Sequence, residues 1–131
     1  MGTWGPGNFD NDAARDQLFD LTRGLSDDVD QALDAATTLK LSGTSSAADN
    51  ARLAEHLKVV LPKIEVMCVL HETLEGGFLP EPPWVEEWQV RFVQLSPECS
   101  SVGTDISAER RAVIEATFAR LLQLARQCWD E

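Results

Sequence analysis

The sequence predicts an all-α protein: an irregular bundle of five to six helices with an aromatic-containing loop at its N-terminus. Three observations predict it. Apolar residues recur at three- and four-residue spacing along most of the chain, the period of a helix with one buried face. Alternating apolar–polar runs of the strand type are almost absent. The 131 residues, 44% hydrophobic and 25% charged, fit one domain spanning 1–131 with one modest core.

The elements follow in order. Residues 1–9 hold Gly2, Gly5, Pro6 and Gly7 around Trp4 and Phe9, a composition no helix interior tolerates. Burial of the two rings is expected to pin this loop to the body of the domain. Asp10, Asn11 and Asp12 supply N-cap oxygens and negative charge for a first helix. Its stripe is Ala14, Leu18, Leu21 and Leu25. Gly24 and Ser26 are expected to break it and cap a second helix, with Val29, Ala32, Leu33, Ala36 and Leu39 on one face. Residues 42–46, Ser-Gly-Thr-Ser-Ser, form a loop.

A third helical pattern runs from Ala47 to about Glu75, with Ala51, Ala54, Leu57, Leu61, Ile64, Cys68 and His71 as its stripe. Pro62 predicts either a kink or a fresh helix with the proline in its first turn. Gly76 and Gly77 are expected to form the C-cap. Phe78 to Pro83 reads as an extended connector. Trp84, Trp88, Phe92 and Leu95 then form the aromatic face of a short helix. A second loop covers 96–106. A last helix, capped by Asp105 or Ser107, carries Ile114, Phe118, Leu121, Ala125 and Trp129.

Charge narrows the function classes. The chain has 22 acidic residues against 11 basic ones, a net charge of -11. That field repels phosphate backbones and anionic membrane surfaces, so neither nucleic acid nor membrane is expected as a partner. No apolar stretch reaches the ~18 residues of a membrane span. The Met1–Pro6 start lacks a basic, apolar leader and fails the myristoylation pattern. Cys68, Cys99 and Cys128 are too few and too widely spaced for a disulfide framework. A reducing, cytoplasmic location is the expectation.

The run Met1-Gly2-Thr3-Trp4-Gly5-Pro6-Gly7-Asn8-Phe9-Asp10-Asn11-Asp12-Ala13-Ala14 resembles the opening of a bacterial family known as domain of unknown function 4259. That opening reads Gly-any-Trp-Gly, a short Gly-containing spacer, Phe-Asp-Asn-Asp, then a helix. The likeness covers about the first 25 residues closely and the helical remainder only in general character. It implies a small helical bacterial protein and carries no activity.

Several residue groups are candidate sites. Trp4, Asp10, Asn11 and Asp12 could line a pocket or bind a cation, although Arg15 and Leu21 stand where a calcium loop needs Gly and Glu. The structural alternative is an aromatic plug with a helix cap. Asp12, Asp16 and Asp20 share one helix face, as do Asp27, Asp30 and Asp34. Eight acids and two bases lie between residues 10 and 34. Such a stripe, unless simply a solvated face, steers a basic partner. Cys68 and His71, three apart, form a weak candidate metal or nucleophile pair. Their apolar stripe favours packing instead, and His56 stands about 18 Å along the helix from Cys68. Glu86 and Glu87 beside Trp84 and Trp88 could bind a sugar or cation, but the spacing favours a buried aromatic face with the acids outward. Arg110 and Arg111 suit an ion pair with another helix or a partner.

No phosphate loop, GxSxG, HExxH or CxxC occurs, and only two histidines are present. No cofactor is expected, and the balance leans away from an enzyme. The expected function is a non-catalytic protein-binding module, of inhibitor, antitoxin or immunity type, that presents an acidic face to a basic protein. A small-molecule or metal-dependent enzyme using Asp10, Asp12, Cys68 and His71 is the alternative. A structural homo-oligomer, such as a homodimer through the Trp84-Trp88-Phe92 face, is the second alternative.

Overall fold

A computed structural model describes residues 12–41, 47–95 and 108–129. These residues are helical throughout, apart from two residues at one helix break and one short connector. The helices are α1 (Asp12–Leu41), α2 (Ala47–Leu57), α3 (Val60–Leu74), α4 (Pro82–Leu95) and α5 (Ala108–Trp129). The expected loop at 1–9, the caps at Asp10, Asn11, Asp105 and Ser107, and the loops at 42–46 and 96–106 lie outside the described residues.

The expected break at Gly24–Ser26 does not occur: α1 is one helix of 30 residues, about 45 Å long at 1.5 Å per residue. Its buried stripe, Leu18, Thr22, Ser26, Val29, Leu33 and Ala36, passes through the expected break without losing helical spacing. Glycine in a helix costs about 1 kcal/mol and serine less. Burial of each large apolar side chain on that stripe returns about 1.5–3 kcal/mol, so packing overrides the local signal.

The third pattern is one rod with an interruption. Lys58 N–H still bonds the Ala54 carbonyl at 2.9 Å, and Val59 stays right-handed at φ -86°, ψ -14°. Pro62 then falls in the first turn of α3, the second of the two expected outcomes. Counted this way the described residues form four rods, not five to six. The register also differs. Leu53 is buried, while Ala51 and Ala54 face solvent.

α3 ends at Leu74 and its C-cap is Glu75, left-handed at φ 55°, one residue before the expected cap at Gly76 and Gly77. Gly77 takes φ 95°, and a Cβ there would come within 3.0 Å of the Thr22 hydroxyl. Pro82 and Pro83 open α4, where an absent N–H costs nothing.

Side-chain bonds set the directions. Arg15 meets the Leu74 carbonyl and Lys63 meets Asp28, so α1 and α3 are antiparallel. Trp84 and Trp88 meet Asp30 while Arg91 meets Asp34, so α1 and α4 are parallel. Phe92 packs on Phe118 at 5.8 Å between centroids and Glu86 faces Arg126, so α4 and α5 are antiparallel. Around the bundle the order is α1, α2–α3, α5, α4. The core between them holds Val29, Leu33, Ile64, Trp88, Phe118 and Leu121 among others.

The 75–81 connector joins α3 to its diagonal partner α4 by crossing the end of the bundle. Leu79 is buried under it and the Trp129 indole donates to the Leu79 carbonyl at 2.9 Å. Phe78 stands edge-on to Phe19 at 5.5 Å, and its N–H donates to Thr22 Oγ1 at 2.6 Å.

Candidate functional site

Structure divides the acidic face of α1 into two parts. The C-terminal part is used internally. Asp30 Oδ1 accepts from the buried Trp88 indole at 2.7 Å and from Trp84 at 3.2 Å. Asp34 pairs with Arg91 at 2.7 Å, which also donates to Thr37 Oγ1 at 3.1 Å. Asp28 pairs with Lys63 at 3.0 Å. These carboxylates staple α1 to α4 and α3. Trp84 is therefore an edge residue, 48% exposed, rather than the first member of a buried aromatic face.

The N-terminal part stays outward. Asp12, Asp16, Asp20 and Asp27 are exposed, and none has an ion pair among the described residues. α4 does not reach them, because α4 begins level with Asp30. Phe19 and Leu21 are exposed on the same half of the helix. Trp4, Asp10 and Asn11 lie outside the described residues.

Cys68 sits in the core, fully buried with Ile64 and Trp88. Burial pushes its thiol up to about 11, so it holds its proton at neutral pH and offers no nucleophilic thiolate. The neighbouring His71 donates from Nδ1 to the Gly76 carbonyl at 3.0 Å, which secures the turn after α3. No group of three metal-ligating side chains forms among the described residues. His71 also lines a polar cleft of about 480 Å³ between α3 and α5. There Arg120 pairs with Glu72, and the hydrogen bond from Arg120 holds the Glu72 carboxyl below its usual range.

A second concavity is one that the periodicity of the chain does not reveal. A groove of about 730 Å³ runs between α2–α3 and α5. Leu57, Leu61 and Phe92 contribute to it from the core, Leu70 lines it half-buried, and Val66, Val69 and Val113 form exposed walls. Those three valines lie off the buried stripes, and their off-stripe position is the one signal available in the sequence.

The homo-oligomer reading through Trp84, Trp88 and Phe92 loses its surface. Trp88 and Phe92 are buried within the single chain, against Phe118 and Asp30.

No described helix is long and apolar enough to cross a membrane. No family model, curated protein or solved structure matches the chain.

Proposed function

We propose that this is a non-catalytic protein-binding module of the bacterial cytoplasm, and that its docking element is the acidic N-terminal half of α1. The reading includes an inhibitor, antitoxin or immunity-type role toward a basic protein. One observation carries it: Asp12, Asp16, Asp20 and Asp27 remain outward and free of ion pairs among the described residues, whereas Asp28, Asp30 and Asp34 are used within the fold. Like charges at i, i+4 oppose the helix by a few tenths of a kcal/mol, roughly 0.2–0.5 per pair. An uncompensated stripe of this kind raises the encounter rate with a basic surface. Exposed Phe19 and Leu21 offer apolar contact beside the charges.

The test is capture of a basic protein from a lysate of the source cells, followed by affinity measurement at two salt concentrations. Asp16→Lys with Asp20→Lys is expected to weaken binding about tenfold or more. Asp34→Asn, which alters an internal staple, is the control and leaves affinity nearly unchanged. Binding that ignores salt, or that survives the double reversal, refutes the reading.

A further inference from the structure

We propose that the 75–81 connector is a strap that opens and closes with the N-terminal half of α1 as one cooperative unit, and so sets whether the acidic half of that helix is held out as a rigid docking face. The consequence for docking rests on the function proposed above; the unit itself does not. The two halves of α1 are anchored differently. The buried stripe of the C-terminal half is Val29, Leu33 and Ala36, all within the connected apolar core. That of the N-terminal half is Leu18, Thr22 and Ser26, and among the described residues none of the three belongs to that core. A single large apolar side chain and two hydroxyls thus stand in the half that α4 does not reach. Gly24 lowers helix propensity there, and Asp12, Asp16 and Asp20 repel one another at i, i+4. A helical segment of this make-up opens locally more readily than the rest of the fold.

The connector holds that segment in place. Phe78 N–H donates to Thr22 Oγ1 at 2.6 Å, and Thr22 Oγ1 donates to the Leu18 carbonyl at 2.8 Å. The Phe78 ring meets Phe19 edge-on at 5.5 Å, and the Arg23 guanidinium lies over it at 6.0 Å. Arg15 reaches the Leu74 carbonyl where the connector begins. The fit is close: a Cβ at Gly77 would meet Thr22 Oγ1 at 3.0 Å and Leu18 Cγ at 3.4 Å. Other helices fix the connector in turn. Trp129 of α5 donates to the Leu79 carbonyl at 2.9 Å, and His71 of α3 donates to the Gly76 carbonyl at 3.0 Å. Bonds from α3 and α5 therefore hold the strap, and the strap holds half of α1. A preformed helix face binds without an ordering cost, so the apparent affinity of a partner scales with the closed fraction.

Native-state hydrogen exchange of the full chain, read amide by amide, tests the proposal. Trp129→Phe keeps a ring but removes a bond made from α5. The amides of Arg23 and Ser26 are then expected to exchange about fivefold faster, in step with that of Phe78. Those of Leu33, Trp88 and Phe118 are expected to keep their rates. Thr22→Val, which removes the acceptor of the Phe78 N–H, is the second variant, with the same pattern expected. Gly24→Ala, where the new Cβ meets nothing within 4 Å, is expected to slow the Arg23, Ser26 and Phe78 amides together by about threefold. Faster exchange at Phe78 with Arg23 and Ser26 unmoved, equal acceleration at Leu33 and Phe118, or no acceleration in either variant would overturn the proposal. No partner enters the measurement, so its failure leaves the docking reading standing, and salt-insensitive capture of a partner leaves the strap standing.

Discussion

Asp30 shows how one carboxylate changes meaning between sequence and structure. It belongs to the acidic stripe by spacing, yet it accepts from the buried Trp88 indole at 2.7 Å. Removing the acceptor leaves an orphaned donor inside the bundle. Asp30→Ala is therefore expected to destabilise the protein by about 1–3 kcal/mol in urea unfolding. Asp30→Asn, which keeps an acceptor oxygen, is expected to cost less than half of that. Cys68 allows a second prediction. Its thiol titrates near 9 in the unfolded chain and near 11 in the fold. Between those values the unfolded state holds fewer protons than the native state, so stability falls as pH rises. The thiol's contribution is whole below pH 9 and declines progressively through pH 11. Unfolding curves across that range are expected to show the decline, and Cys68→Ala to flatten it.

Element-scale behaviour centres on α1. Gly24 lies in its interior, and a Cβ there would meet nothing within 4 Å. Gly24→Ala is thus expected to stabilise the protein by about 0.5–1 kcal/mol, read as a higher melting temperature. A helix broken at that point would gain nothing or lose stability. The rod of α2 and α3 behaves differently. Pro62 lacks the N–H that would bond the carbonyl one turn back, and the interruption falls at Lys58 and Val59. Lys58 and Leu61 beside this break line the groove between α2–α3 and α5. The connector at 75–81 is held by Thr22, Arg15 and Trp129, all from other elements.

At the scale of the whole molecule, charge dominates. A chain at -11 whose described ion pairs are mostly exposed carries net self-repulsion in the compact state. Exposed pairs return little, about 0–1 kcal/mol each. Raising ionic strength from low salt to about 0.15 M is therefore expected to raise the melting temperature, because screening removes more repulsion than attraction. A falling melting temperature would show that the internal staples outweigh the repulsion. The acids are also unevenly placed. Those level with α4 find donors, and those beyond its start face water.

Period and composition determined the helical class, because a three-to-four spacing buries one face only in a helix. They also located the core residues Leu18, Val29, Leu33, Ile64, Cys68, Phe92, Phe118 and Leu121. Pro62 was legible for the same reason: its missing N–H acts locally. Tertiary structure alone decided that α1 continues through Gly24, since burial along 30 residues outweighs a cost of about 1 kcal/mol. It alone separated Asp30 and Asp34 from Asp16 and Asp20, because spacing within one helix does not say where the neighbouring helix begins. The groove was invisible for a related reason. A concave surface belongs to the gap between two rods, and neither rod's sequence records how far apart they stand.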